Sequence, residues 1–162
     1  MRQACTADLK SGGDRLYLLG RTRPELGGSL YAQALALEGH RPPGLAVEGP
    51  ALARALHRAM RQGLVAACHD CSEGGLALAL AEMAFSGELG ASLFLANVPL
   101  PDDRVPVDDW LLYAESNGRY LVEVAEEHAE AFRKVAENYR ELLRDDPGNP
   151  PDLGGWHFFQ HH

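Results

Sequence analysis

The chain alternates short apolar runs with turns rich in glycine and proline. Four runs have the length of a buried strand, and they cover residues 16–20, 64–68, 91–95 and 120–124. A strand that is covered on both faces shows a continuous apolar run instead of an alternation. We therefore predict four buried strands, separated by segments that favour turns and helices.

Helical segments follow or lie between these runs. We predict helices over residues 30–37, 51–62, 76–84 and 126–143. In the second of them, apolar residues recur along one stripe, Pro50 stands where an N1 proline would, and Gly63 follows as a C′ residue. Residues 39–49 form a linker rich in proline and glycine, and residues 98–109 form a loop rich in proline and aspartate.

The order strand, Gly-Gly, helix occurs twice. Gly27-Gly28-Ser29 precedes the helix at residue 30, and Gly74-Gly75 precedes the helix at residue 76. The second turn follows a polar segment, residues 69–73. A helix start offers unpaired N–H groups and a positive dipole end, which suit an anion such as phosphate. The alternative is structural: tight chain reversal at the glycines, with Ser72 as a helix N-cap.

Size and charge limit the classes of function. A chain of 162 residues with 46% hydrophobic residues fits one globular domain. The formal net charge of −8 argues against a general nucleic-acid-binding protein but not against a phosphate ligand. The chain contains no signal peptide and no long apolar span, so we predict a cytoplasmic protein without membrane contact.

The cysteines raise a metal or redox alternative. Three cysteines are present, and Cys68 and Cys71 have the CxxC spacing. A zinc site would need a second ligand pair, and none stands at a suitable spacing. His161 and His162 at the chain end could bind metal, although an artefact is an equal explanation. Because Cys68 belongs to an apolar run, we rank this alternative low.

Three segments together resemble a known family. Leu18-Leu19-Gly20 with residues 25–29 resembles an "LLG…ELGGS" segment, residues 69–77 resemble "HDxS[DE]GGLA", and residues 114–120 resemble "SESxxRF". Their order and spacing agree over residues 5–137. The chain thus resembles the C-terminal domain of the aminoimidazole-ribonucleotide synthetase superfamily. Within it, the likeness is greatest to phosphoribosylformylglycinamidine synthases of the small-subunit (component II) type.

The resemblance implies the fold and the extent of the domain. It implies an α/β fold, a mixed sheet with packed helices. Residues 1–143 would form a single C-terminal domain. Residues 144–162 would be an irregular tail, either an artefact or a truncated domain end that leaves a sheet edge exposed. Only the last C-terminal domain of the family's longer architecture is matched.

The resemblance also implies a reaction and its participants. The intact enzyme would be an ATP-dependent C–N ligase that acts on formylglycinamide ribonucleotide with ammonia derived from glutamine. ATP and Mg²⁺ would be its cofactors, with an auxiliary ADP, and a glutaminase subunit and a small accessory subunit would be its partners. Another member of the superfamily and a non-catalytic nucleotide-binding module remain alternatives.

For the residues themselves, the resemblance implies ligand contacts rather than catalysis. No catalytic residue and no metal ligand is expected in this chain, which alone would be inactive. The candidates for contact with ligand or phosphate lie in the two Gly-Gly turns and the polar segment before the last strand: Gly27, Gly28, Ser29, Asp70, Ser72, Gly74, Gly75, Glu115, Ser116 and Asn117.

Overall fold

An antiparallel sheet with helices on both faces organises the chain. The computed structural model describes residues 4–98, 107–135 and 157–160, the last four by their backbone only. Within these residues the sheet has four strands in the order β2-β3-β1-β4. The strands are β1 (Arg15–Leu19), β2 (Ala67–Asp70), β3 (Tyr120–Val124) and β4 (His157–Gln160).

The helices of the described residues are short, apart from two. They are α1 (Leu30–Ala34), α2 (Gly49–Arg61), α3 (Gly75–Ser86) and α4 (Asp108–Tyr113). Single 3₁₀ turns occupy Leu95–Asn97 and Glu126–His128. Residues 129–135, which follow the second of these turns, are helical. No helix in the described stretches has the length and apolar character needed to cross a bilayer.

Each face of the sheet packs against its own helices. In β1, Leu16 and Leu18 point to a core built with α3 and α4, whereas Tyr17 and Leu19 point to a core built with α2 and Phe132. Successive strand residues alternate between the two faces of the sheet, and here the side chains on both faces are buried. This is why β1 and β3 appear in the sequence as continuous apolar segments.

One carboxylate is buried in the middle of this sheet. Glu123 of β3 is fully buried and faces the same side as Leu121. Its oxygens accept hydrogen bonds from the backbone N–H of Lys10 at 2.9 and 3.0 Å and of Ser11 at 3.2 Å. Burial raises the pKa of Glu123, while these N–H groups act in the opposite direction. The buried acid therefore ties the N-terminal segment to the sheet.

Several predictions are confirmed. The α/β class with helices packed on a sheet is correct. The strands predicted at residues 16–20 and 120–124 are β1 and β3, and the helix predicted at residues 51–62 is α2. All three strand pairings are antiparallel, where a mixed sheet was expected. β1 and β2 do run in the same direction, but β3 lies between them.

The strand predicted at residues 64–68 begins later than expected. Gly63 N–H bonds to Met60 O and Leu64 N–H bonds to Ala59 O, so this segment closes the end of α2. Pairing with β3 starts at Ala67 and continues to Asp70. As a consequence, His69 and Asp70 are strand residues and do not belong to the turn.

The strand predicted at residues 91–95 is wrong. These residues are not assigned to a strand; Ala91, Leu93 and Leu95 pack onto the α3 side of the sheet, whereas Phe94 is exposed. The predicted loop at 98–109 is also wrong at its end, because α4 begins at Asp108; residues 99–106 lie outside the described part. Burial of an apolar segment does not require strand pairing, which explains the first error.

The remaining differences concern helix ends and the tail. The helix predicted at 30–37 ends at Ala34, and Ala36 has a φ of 51°, which a helix cannot continue through. The helix predicted from 126 opens with a 3₁₀ turn, and its part beyond 135 lies outside the described residues. Within the tail expected to be irregular, His157–Gln160 form β4 on β1; the other residues of the tail are outside the described part.

Gly20 provides a test of the β1–β3 pairing. Its φ is +86°, and a Cβ there would lie 2.3 Å from Gly118 O. We expect Gly20→Ala to lower the free energy of unfolding by more than about 2 kcal/mol in chemical denaturation. The control is Gly13→Ala, with a φ of +94° but nothing within 4 Å. It has only backbone strain, of about 1 kcal/mol. Equal losses in the two variants would contradict the close approach.

Candidate functional site

The polar segments next to β2 and β3 meet at one cleft. Its volume is about 410 Å³. Because β2 pairs antiparallel with β3, the end of β2 lies beside the start of β3. The cleft is lined by the residues at that edge of the sheet and by one proline of the linker: Pro43, Asp70, Cys71, Ser72, Glu73, Glu115, Ser116, Asn117, Gly118, Arg119 and Tyr120.

The turn from β2 to α3 presents an acid and a hydroxyl to this cleft. Asp70 is the last residue of β2, and its side chain is 61% exposed. Ser72 Oγ donates a hydrogen bond to Asp70 Oδ2. That bond is the main cause of a lowered pKa for Asp70. The predicted N-cap role of Ser72 is wrong, because the N-cap of α3 is Gly74, with a φ of 72°.

His69, just before Asp70, points towards α3. Its Nε2 lies 2.9 Å from Glu82 Oε2, and its Nδ1 lies 2.8 Å from Asp70 O. The ring therefore links the strand to the helix that follows it. Glu82 lies in the second half of α3, so the contact ties β2 to the body of the helix and not to its start.

Glu115 connects the two Gly-Gly turns. Its Oε1 accepts a hydrogen bond from Leu30 N–H at 2.9 Å and another from Gly74 N–H at 2.8 Å. Leu30 is the first residue of α1, and Gly74 caps α3. The anion expected at these helix starts is therefore a side chain of the protein itself.

Close backbone approaches account for two of the candidate glycines. A Cβ on Gly75 would lie 2.7 Å from both Leu112 O and Ala114 O, so the second turn packs against the segment that carries Glu115. Gly27 donates its N–H to Arg41 O at 2.9 Å, and a Cβ there would lie 2.4 Å from His40 O. Both positions thus have a structural reason to be glycine.

Two serines among the candidates are buried and hydrogen-bonded within the protein. Ser29 Oγ accepts from Ala32 N–H at 3.1 Å, which makes Ser29 the N-cap of α1. Ser116 Oγ accepts from Arg23 N–H at 3.0 Å. By contrast, Asn117 is exposed and donates its side-chain N–H to Gly44 O at 2.9 Å.

The structure thus divides the ten sequence candidates into two groups. Asp70, Ser72, Glu115, Ser116 and Asn117 line the cleft. The five residues of the Gly-Gly turns are not among the lining residues: Gly27, Gly28, Ser29, Gly74 and Gly75. Contact of any of the ten with a ligand remains a prediction.

Arg119 was not among the candidates, although it lines the same cleft. It is fully buried; its Nη1 donates to Thr22 Oγ1 at 2.7 Å and its Nη2 donates to Ala114 O. Burial lowers its pKa. Its place in a polar loop directly before an apolar strand was the signal in the sequence. Among the described residues, its Nε has no hydrogen-bond partner.

Negative charge dominates the cleft. Asp70, Glu73 and Glu115 bring three carboxylates, against one guanidinium from Arg119. A free phosphate would be repelled there, unless a cation accompanies it. The described residues contain no group of three or more His, Cys, Asp or Glu side chains that could hold a metal ion by themselves.

The thiols give no support to the redox alternative. Burial raises the pKa of Cys68 to about 12 and that of Cys71 to about 11. Both groups are therefore protonated at neutral pH, whereas a reactive or metal-binding cysteine needs a thiolate. His161 and His162, the other residues of that hypothesis, lie outside the described part of the chain.

Comparison with known proteins assigns the chain to a family. Residues 11–143 match the family described as AIR synthase related protein, C-terminal domain. The chain belongs to this family. The match includes all three segments that carried the resemblance in the sequence, and both Gly-Gly turns lie inside it.

Two curated relatives are longer proteins that share the same name. The chain is 42% identical over 129 residues to the phosphoribosylformylglycinamidine synthase subunit PurL of Moorella thermoacetica, covering 78% of this chain and 17% of that protein. It is 39% identical over 123 residues to the same subunit of Thermococcus gammatolerans, covering 75% and 17%. These relatives confirm the predicted resemblance, and the chain spans about 17% of their length.

Solved structures support the fold. Thermotoga maritima PurL complexed with FGAR matches with a TM-score of 0.75 at 22% identity, over 99% of this chain and 26% of that one. The same protein complexed with ATP matches with a TM-score of 0.65 at 22% identity, over 99% and 23%. T. maritima PurLQS matches with a TM-score of 0.65 at 23% identity, over 96% and 23%.

The Ser72–Asp70 hydrogen bond generates a pH prediction. In Ser72→Ala we expect the pKa of Asp70 to rise towards its ordinary value of about 3.9, as measured by NMR titration of the carboxyl group. In the unaltered domain the lowered pKa makes Asp70 stabilising above the ordinary value, and this contribution is lost as the pH falls through the folded-state pKa. In Ser72→Ala, the part of this pH dependence of stability that the Ser72 hydrogen bond causes is lost. Ser86→Ala, in the last turn of α3, is the control; an unchanged Asp70 pKa in Ser72→Ala would contradict the assignment.

Proposed function

We propose that this domain forms one wall of a nucleotide- or substrate-binding cleft in a phosphoribosylformylglycinamidine synthase. The observation that carries the proposal is the convergence of two family segments on one cleft. Residues 70–73 of the "HDxSEGG" segment and residues 115–119 of the "ESNGR" segment are separated by about forty positions in the chain, yet they face the same space.

The reaction proposed for the longer protein is an ATP-dependent amidation. ATP phosphorylates the amide oxygen of formylglycinamide ribonucleotide, which gives an iminophosphate. Ammonia derived from glutamine then displaces phosphate and yields formylglycinamidine ribonucleotide, ADP and phosphate. The described residues of this chain contain no group that we assign to the chemical step; they would bind and orient.

The acidic cleft fits a ligand that arrives with Mg²⁺. Magnesium is bound in such sites by one or two carboxylates together with the phosphates of the substrate. Asp70 and Glu73 provide carboxylates at the cleft. The lowered pKa of Asp70 favours its charged form. When bound, Mg²⁺ would neutralise phosphoryl charge. Ser72 would hold the Asp70 carboxylate by its hydrogen bond, and Asn117 would donate its second side-chain N–H beside the ligand.

The substrates and partners follow from proteins that resemble this one. T. maritima PurL has been solved complexed with FGAR and with ATP, and a PurLQS structure exists. We therefore propose formylglycinamide ribonucleotide and ATP as ligands of the longer protein. A glutaminase subunit and a small accessory subunit would be its partners. We propose a cytoplasmic location and no role in nucleic-acid binding.

Calorimetry on this chain tests the cleft. We expect ADP to bind in the presence of Mg²⁺ and to bind at least roughly tenfold more weakly with a chelator, a loss of about 1.4 kcal/mol. Asp70→Asn should weaken binding of the Mg²⁺ complex, whereas Glu127→Gln, an exposed carboxylate outside the cleft, should not. Equal affinity for ADP with and without Mg²⁺ would refute the role given to the carboxylates.

A turnover assay tests the ligase assignment. Formylglycinamide ribonucleotide, ATP and ammonia should be converted by the longer protein and not by this chain alone, with ADP release as the measurement. Turnover by the isolated chain would show that a catalytic group lies within it. Binding of Mg²⁺–ADP without turnover by the longer protein would favour the alternative of a non-catalytic nucleotide-binding module.

A further inference from the structure

A single carboxylate oxygen joins two helix starts that lie far apart in the sequence. Glu115 Oε1 accepts from Leu30 N–H, 85 positions away, and from Gly74 N–H, 41 positions away. We propose that Glu115 is a positioning residue: it ties the α1 start and the α3 start to the segment before β3, which fixes the cleft-lining residues next to these points, and it does not contact the ligand. The effect on ligand binding rests on the proposed function, whereas the effect on the two turns does not.

The Glu115 carboxylate is hydrogen-bonded within the protein itself. Backbone N–H groups at a helix start are the groups that would otherwise bind a phosphate. Here one such N–H from each helix start, that of Leu30 and that of Gly74, already donates to Glu115 at 2.9 and 2.8 Å. A phosphate could use them only by displacing a covalently attached anion, so the ligand must rely on the other polar groups of the cleft.

The backbone on both sides of Glu115 is anchored. Before it, Ala114 O accepts a hydrogen bond from the buried guanidinium of Arg119. The same oxygen would lie 2.7 Å from a Cβ on Gly75, so the α3 start packs closely against it. After it, Ser116 Oγ accepts from Arg23 N–H at 3.0 Å. These contacts fix the backbone of the segment from two directions, and the Glu115 carboxylate is held by its two hydrogen bonds to the helix starts.

An aromatic pair supports the same joint. Tyr31, next to Leu30, stacks on Tyr113, two positions before Glu115, with ring centroids 4.5 Å apart and an interplanar angle of 8°. The stack holds α1 against α4, and the Glu115 hydrogen bond holds the start of α1 against the same connection. The α3 start joins the same assembly through the hydrogen bond from Gly74 N–H and the approach of Gly75 to Ala114.

Hydrogen exchange at the two amides tests the positioning role directly. In E115A we expect the protection of the Leu30 and Gly74 amides to fall by roughly tenfold or more. In E115Q, which keeps an acceptor oxygen at the same place, most of that protection should remain. E73Q removes a neighbouring carboxylate of the same cleft and is the matched control, with both amides expected to stay protected. Acetate added to E115A should restore part of the protection and change nothing in the unaltered chain.

Ligand binding distinguishes positioning from contact. E115Q should bind Mg²⁺–ADP with nearly the affinity of the unaltered chain, and E115A should bind it several-fold more weakly. The proposal is overturned if E115A leaves both amides protected. It is also overturned if E115Q keeps the amides protected yet binds Mg²⁺–ADP as weakly as E115A, because the negative charge of Glu115 would then act on the ligand. If the unaltered chain binds no nucleotide, the proposed function fails, while the exchange measurements still decide the role of Glu115. If E115A does not fold, E115Q is compared with E115D instead. The Asp side chain is shorter than that of Glu and cannot reach both amides.

Discussion

The antiparallel pairing of β1 with β3 is the constraint on which the other parts of the structure depend. The pair is buried on both faces, with Leu18 opposite Leu121 and Tyr17 opposite Val122. Burial of such side chains contributes about 1.5–3 kcal/mol each, so a shift in register would be costly. The pairing also sets where the chain leaves each strand: Gly20 after β1 meets Gly118 before β3, at the edge of the sheet where the cleft lies.

That junction explains why the site is built from loops and not from the core. The segment that precedes β3 carries Glu115, Ser116, Asn117 and Arg119, and each hydrogen-bonds to a different part of the chain. A rigid sheet thus holds a loop whose polar groups are mostly satisfied internally. The charged groups left facing the cleft are predominantly carboxylates, and this charge disfavours a free phosphate anion.

Prediction from the sequence succeeded where one physical signal decided the element. Continuous apolar runs identified β1 and β3, and a helical stripe with Pro50 and Gly63 at its ends identified α2. It failed where an apolar segment is buried without pairing as a strand. Leu64 closes the end of α2, and Ala91, Leu93 and Leu95 pack without pairing as a strand, because apolar character reports burial and says nothing about backbone partners. Ser72 fits the composition of an N-cap, but it bonds to Asp70 instead.

The sequence by itself determined the family, the α/β class and the segments that carry the site, because these depend on local residue order and on the spacing of motifs. Only the tertiary structure decided what those residues do. The glycines of both turns and Ser29 lie outside the cleft, whereas Asp70, Ser72 and the segment from Glu115 lie in it. The helix starts after the Gly-Gly turns were expected to suit an external anion, yet Leu30 N–H and Gly74 N–H both donate to Glu115. The hydrogen bonds that decide this connect residues 41 and 85 positions apart, a distance over which neither propensity nor periodicity holds information.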